Sequence, residues 1–104
     1  MNEFKVSYSK EAEKDLDDIY SYIAIEKKDN INATRLIRRL AKAIDDLSIM
    51  ADSYHFYQVE PYLSQEVRYF SEGNYCVFYK IIDDTAYVLR IIYGARDLIK
   101  VLGE

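Results

Sequence analysis

The chain has 104 residues, of which 50% are hydrophobic and 31% are charged, and its formal net charge is −4. This length supports one hydrophobic core, so we expect a single domain over residues 1–104, and the composition excludes a disordered chain. The acidic balance argues against nonspecific nucleic-acid binding, which favours a basic surface.

Other function classes are excluded by what the sequence lacks. One cysteine, Cys76, excludes an internal disulfide and predicts a cytoplasmic protein. No apolar run is long enough to cross a bilayer and no basic-then-apolar leader begins the sequence, so we expect no membrane partner. A single histidine, no HxxxH or CxxC spacing and only three glycines predict no metal site, no phosphate loop and no cofactor.

The first half of the chain predicts a strand followed by two helices. Residues 4–8 alternate apolar and polar, and Ser9 is a good N-cap with Glu11 and Glu13 in the first turn. Apolar residues at helical spacing continue to about Glu26 and resume from about 32 to 50. The short connection between the helices favours an antiparallel hairpin.

The second half predicts three strands after an irregular, aromatic-rich stretch at residues 51–65. Residues 67–70, 75–82 and 86–93 are rich in β-branched and aromatic residues, and turn residues separate them. We therefore expect an α+β fold of order β-α-α-β-β-β, in which the helical hairpin packs on one face of an antiparallel meander.

Alternation along these strands indicates which side chains share a face. Counting every second residue places Arg68, Lys80 and Arg90 together, on a face that the helices leave open. An apolar patch with interspersed cations is typical of a protein-binding surface. The predicted partner-binding residues are Phe70, Phe78, Lys80, Ile82, Val88, Ile92 and Arg96.

The strand arginines have two interpretations from the residues alone. Arg68 and Arg90 have apolar neighbours, so each either pairs with a carboxylate such as Glu66 or Asp97, points its tip to solvent, or forms an anion or phosphate site. Asp15, Asp17 and Asp18 are interpreted as a solvated helix face, and Tyr93, beside Arg90, is the tyrosine best placed for chemistry.

Several segments in this order resemble one protein family. They are AEKDLDDIYSYIA at residues 12–24, Asn32-Ala33, Glu66-Val67-Arg68, YCVFY at 75–79 and VLRIIYGARD at 88–97. Over nearly its whole length, the chain resembles the RelE/ParE superfamily of toxins from type II toxin–antitoxin systems. The resemblance implies a growth inhibitor, of the kind associated with plasmid stabilisation, that is neutralised by a cognate antitoxin. It is expected as a homo-oligomer or as a hetero-oligomer with that antitoxin.

Two activities follow from this resemblance, and whether the protein is an enzyme stays open. RelE-like members cut messenger RNA on the ribosome, and in that case Arg68, Arg90 and Tyr93 match the catalytic positions. ParE-like members inhibit DNA gyrase without cutting RNA. Residues 52–67 contain no lysine or arginine, which favours the ParE-like reading. A third alternative is a degenerate toxin fold that serves as an interaction module.

Overall fold

A computed structural model describes residues 3–94 and confirms the predicted α+β class. The strands are β1 (Lys5–Tyr8), β2 (Arg68–Glu72), β3 (Tyr75–Ile82) and β4 (Thr85–Tyr93), and the helices are α1 (Lys10–Ser21), α2 (Asn30–Asp45) and α3 (Leu47–Met50). A π-helical turn at Tyr22–Glu26 extends α1, and a 3₁₀ turn at Ala51–Ser53 follows α3. Within residues 3–94, no helix is both long and apolar enough to span a lipid bilayer.

The helix boundaries follow from their caps. The Ser9 hydroxyl accepts the Ala12 backbone N–H at 2.9 Å, so the predicted N-cap of α1 is confirmed. Asp29 caps α2 by accepting the backbone N–H of Asn32, and α2 therefore begins two residues earlier than predicted. The second predicted helix is interrupted at Asp46, after which α3 continues as a separate short turn.

The sheet has the order β1-β4-β3-β2, with β1 parallel to β4 and the other pairs antiparallel. Because β1 ends at Tyr8, opposite Val88, no strand within residues 3–94 pairs with the rest of β4 on that side. The N-cap residue Ser9 and Asp15 of α1 supply side-chain hydrogen bonds there instead. The Ser9 hydroxyl donates to the Leu89 carbonyl, and Asp15 accepts the Ile91 backbone N–H, each at 2.9 Å.

One face of the sheet packs on the helices and forms the main core. Leu40, Ile44 and Leu47 are fully buried against sheet residues that point the same way. The sheet residues in this cluster are Phe70, Val77, Tyr79, Ala86, Val88 and Ile91. Burial of this kind stabilises a fold by roughly 25 cal/mol for each Å² of apolar surface, so this layer holds the helical hairpin in place.

The predicted grouping of strand residues by face is wrong for β2 and for part of β4. A two-residue turn at Gly73-Asn74 places Glu72 opposite Tyr75, so even-numbered residues on β2 share a face with odd-numbered residues on β3. Arg68 and Phe70 therefore lie on the helix-covered face, opposite Tyr79 and Val77. Val88 joins them because it lies opposite Tyr79.

The other face of the sheet is covered as well. Val67, Cys76, Phe78 and Ile92 form a second buried cluster, against which Tyr57, Tyr62, Tyr69 and Leu89 pack. The segment between the 3₁₀ turn and β2 supplies several of these residues, and its Tyr57 ring meets Phe78 edge-on at 5.3 Å. The prediction of an open binding face is therefore wrong, because the aromatic-rich stretch at residues 51–65 covers this face of the sheet.

The burial of the predicted partner-binding side chains shows which of them can contact another protein. Phe70, Phe78, Val88 and Ile92 are buried, so they cannot offer a free surface to a partner. Lys80 is half-buried and Ile82 is 48% exposed at the end of β3. Arg96 lies outside the described residues, as does Asp97, the suggested carboxylate partner.

Candidate functional site

Arg90 is held by a carboxylate of α1. Its Nε and Nη2 atoms donate to the two oxygens of Asp15 at 2.8 and 2.9 Å, a bidentate pair in which the side chains are 28% and 12% exposed. The hydrogen bonds to Asp15 raise the pKa of Arg90, although burial acts in the opposite direction. The interpretation of Asp15 as part of a solvated helix face is therefore wrong. The interpretation that Arg90 pairs with a carboxylate is confirmed, and Asp15 is the partner.

Arg68 is bound by the segment that precedes β2. Its Nη1 donates to the Tyr54 carbonyl, and the guanidinium carbon lies 4.4 Å from the centre of the Phe56 ring. A cation over an aromatic face is attracted by the ring quadrupole. Within residues 3–94, no carboxylate lies in ion-pair range of Arg68, so Glu66 is not its partner.

The structure does not bring Arg68, Arg90 and Tyr93 together. Arg68 is on β2 and Arg90 on β4, with β3 between them, so their backbones are about 10 Å apart. Arg68 bonds to the segment before β2, whereas Arg90 bonds to α1. Tyr93 is 57% exposed at the far end of β4, where its ring meets Tyr75.

Tyr93 instead belongs to a cleft of about 480 Å³ between the end of the sheet and the π-helical turn. We call it the tyrosine cleft, and it is lined by Asp18, Ile19, Tyr22, Ile23, Lys27, Tyr75 and Tyr93. The Lys27 N–H bonds to the Tyr22 carbonyl five residues back, which is the wide spacing of a π-helix. This turn leaves Tyr22 55% exposed at the edge of the cleft.

The chemistry of the tyrosine cleft suits binding better than proton transfer. Burial raises the pKa of Tyr75, and the neighbouring Tyr93 raises it further, so this hydroxyl stays protonated at neutral pH. The Tyr75 and Tyr93 rings are 5.2 Å apart in an edge-on arrangement, and the Lys27 ammonium lies 5.6 Å from the Tyr22 ring. Aromatic walls with one cation at the rim provide a large apolar contact area.

Sequence reasoning missed most of this site. It selected Tyr93 but not Tyr22, Tyr75 or Lys27, because the juxtaposition depends on how the helical hairpin crosses the end of the sheet. Asp15 carried a usable signal, since it lies three residues after Ala12 and four before Ile19, on the flank of the buried stripe of α1.

Similar solved structures share this fold. The chromosomal ParDE toxin–antitoxin system from P. aeruginosa matches with a TM-score of 0.71 and 17% identity, covering 88% of this chain and 96% of that one. The toxin–antitoxin complex RelBE2 from Mycobacterium tuberculosis matches with a TM-score of 0.66 and 20% identity, covering 91% and 95%. No match was found among curated proteins.

A family model decides between the two branches of the superfamily that the sequence resembles. Residues 6–98 match the model described as the ParE toxin of the type II toxin–antitoxin system parDE. The match begins within β1 and covers both long helices and the whole meander. The chain therefore belongs to the ParE toxin family of type II toxin–antitoxin systems.

Proposed function

We propose that this protein is a growth-inhibiting toxin that acts by binding DNA gyrase, does not cut RNA, and is neutralised by a cognate antitoxin. The observation that carries the proposal is the separation of Arg68, Arg90 and Tyr93. Membership of the ParE family supports the same target class.

RNA cleavage needs groups that the structure does not assemble at these positions. A ribonuclease must place an acid and a base at the reacting hydroxyl and phosphate, with cations aimed at the developing charge. Arg90 already neutralises Asp15, and Arg68 lies against Phe56 and the Tyr54 carbonyl. Residues 52–67 add no lysine or arginine beside Arg68. Neither arginine is therefore positioned with Tyr93 around a common phosphate.

Protein binding fits the tyrosine cleft. Its exposed aromatic rings can bury an apolar side chain of another protein, and Lys27 can meet a carboxylate beside that side chain. Aromatic residues dominate the energy of many protein interfaces because they bury a large area with few rotatable bonds. The cleft is thus the surface through which we expect the toxin to engage its target.

Expression of this chain alone is expected to slow bacterial growth, because a toxin without its antitoxin inhibits its target. Co-expression of the antitoxin from the neighbouring reading frame is expected to restore growth. The measurement is colony count and growth rate after induction, beside an immunoblot of the soluble protein. Normal growth at a high level of folded protein would support the degenerate interaction module instead.

The target is tested by paired assays on the purified toxin. We expect inhibition of gyrase-catalysed DNA supercoiling and no cleavage of messenger RNA on ribosomes. Tyr93→Ala is expected to weaken the inhibition by tenfold or more, because it removes one wall of the cleft. Tyr87→Ala is the matched control, since Tyr87 is also an exposed tyrosine of β4 but lies outside the cleft. RNA cleavage that disappears in Arg68→Ala would contradict the proposal.

A further inference from the structure

The two long helices carry opposite charge. α1 has five acidic residues and two basic ones, whereas α2 has four basic residues and one acidic one, Asp45 at its last position. In a chain with 18 acidic and 14 basic residues, α2 is therefore a local basic region. Neither the tyrosine cleft nor the buried pair of Arg90 and Asp15 uses these residues.

The four cations of α2 form one continuous surface, which we call the basic ridge: Arg35, Arg38, Arg39 and Lys42. Their spacing of three and four residues puts them on one side of the helix, and all four are exposed. The ridge extends over about 10 Å, at 1.5 Å for each residue. Like charges at this spacing destabilise an isolated helix, so a solvated face would usually alternate their signs.

Within the part of the chain that the structure describes, the ridge is only partly neutralised. Arg39 pairs with Glu72 of β2 at 3.7 Å, and Lys42 pairs with Asp46 at 3.3 Å. Over residues 3–94, Arg35 and Arg38 have no carboxylate within 4 Å. These two neighbouring guanidinium groups keep their donors available for an anionic partner.

Two shallow depressions meet at Arg38. One, of about 330 Å³, is bounded by Arg38, Arg39 and Lys42 together with Asp46 and Glu72. The other, also about 330 Å³, is bounded by Arg35, Arg38 and Thr34 together with Asn30 and Ile31. Ile31 is 67% exposed, so the ridge combines two arginines that have no carboxylate partner among residues 3–94 with an apolar side chain at one end.

We infer that the basic ridge binds an acidic segment of the antitoxin, with carboxylates on Arg35 and Arg38 and an apolar side chain against Ile31. The inference rests on the proposed function, which supplies the antitoxin, and charge complementarity identifies the kind of segment. A polypeptide fits better than a nucleic acid for two reasons. Asp46 and Glu72 border the same depression as Arg38 and would repel a continuous phosphate backbone, whereas a polypeptide can place its carboxylates on Arg35 and Arg38 and uncharged residues beside Asp46 and Glu72. The net charge of −4 opposes long-range attraction of a polyanion.

The test is the affinity of the full-length toxin for the purified antitoxin, measured by calorimetry at two salt concentrations. The double variant Arg35→Glu, Arg38→Glu is expected to bind about 100-fold more weakly, because each antitoxin carboxylate then faces a like charge. Arg35→Gln, Arg38→Gln is expected to bind about 10-fold more weakly and to show less dependence on salt. The matched control is Lys10→Glu, Lys14→Glu, which makes the same charge change on the exposed side of α1 and should bind within threefold of wild type.

Direct pairing is tested by reversing charge on both proteins. Lysine substitutions at the acidic residues of the antitoxin segment should restore binding to Arg35→Glu, Arg38→Glu, which a general loss of structure would not allow. Equal affinity of wild type and that variant for the antitoxin would overturn the inference while leaving the proposed function intact. Wild type that fails to bind the antitoxin at all would overturn the proposed neutralisation as well. Binding of a 20-base-pair DNA duplex that is lost in the ridge variant, with antitoxin binding unchanged, would reassign the ridge to nucleic acid.

Discussion

Phe78→Asp is expected to unfold the protein. Phe78 is fully buried at the centre of β3, and its ring packs against Tyr57 at 5.3 Å and Tyr69 at 6.1 Å. Removing a buried phenylalanine side chain typically destabilises a domain by about 3–5 kcal/mol, and an unpaired buried carboxylate adds a further penalty. A small domain has a total stability of about 5–15 kcal/mol, so loss of the folded state is expected by circular dichroism.

The matched control is Ile82→Asp, on the same face of the same strand. Ile82 is 48% exposed and lies at the end of β3, so its replacement should lower the free energy of unfolding by no more than about 1 kcal/mol. Phe78→Leu provides a milder change that should remain folded but melt at a lower temperature. A folded Phe78→Asp variant that has lost only antitoxin binding would restore the open face predicted from alternation.

The error in that prediction has a simple geometric origin. Alternation assigns residues to faces within one strand, but the turn decides how two strands are aligned. A two-residue turn pairs residues whose numbers sum to an odd value, as Glu72 with Tyr75 and Ile82 with Thr85. The prediction put the even-numbered residues of all three strands on one face, and it therefore placed Arg68 and Phe70 on the wrong face. The turn at Gly73-Asn74, visible in the sequence, was enough to correct β2.

The β-bulge between β3 and β4 could not be predicted from the sequence in the same way. The register of β3 with β4 shifts between Phe78 and Tyr79, so that Phe78 pairs with Arg90 whereas Tyr79 pairs with Val88. This shift returns Ile92 to the face of Cys76, where simple alternation had placed it. Ile92 was thus assigned to the correct face, although the pairing of β3 with β4 is irregular. Local sequence contains no marker of the extra residue, because Leu89 is an ordinary strand residue.

Element types were predictable because they depend on local periodicity, whereas the sites depend on distant contacts. The Ser9 cap and β3 at 75–82 were placed correctly from spacing and turn chemistry. The pair of Asp15 and Arg90 joins residues 75 positions apart, and the cleft joins Tyr22 to Tyr75 and Tyr93. Neither follows from a pattern within one element. Both depend on the crossing of α1 over β4, which the sequence does not specify by itself.

The two binding features described above lie on the helical hairpin and at the end of the sheet beside it. Both sheet faces are covered, one by the helices and the other by the aromatic segment before β2. The tyrosine cleft uses the end of α1 and the π-helical turn, whereas the basic ridge uses α2. The two surfaces are chemically distinct, so substitutions at Tyr93 and at Arg38 should separate target inhibition from antitoxin binding.

Asp15→Ala is expected to lower the free energy of unfolding by about 2–4 kcal/mol. The change removes three hydrogen bonds: two from the Arg90 guanidinium and one from the Ile91 backbone N–H. It leaves a mostly buried cation and a backbone donor without their partner, and such losses exceed the value of an exposed ion pair. The upper end for a fully buried pair is not expected, because Arg90 is 28% exposed and water can reach it. Urea unfolding monitored by fluorescence gives the difference.

Asp17→Ala and Asp15→Asn separate the possible causes of that loss. Asp17 is exposed on the same helix, so its replacement should change the free energy of unfolding by less than about 0.5 kcal/mol. Asn at position 15 keeps an acceptor for the Ile91 N–H but loses the charge, so an intermediate stability is expected. Equal stabilities of Asp15→Ala and Asp17→Ala would show that the Arg90 pair does not hold α1 on β4. The neutralisation of Arg90 by Asp15 would then be a weaker argument against RNA cleavage, whereas the separation of Arg68, Arg90 and Tyr93 would stand.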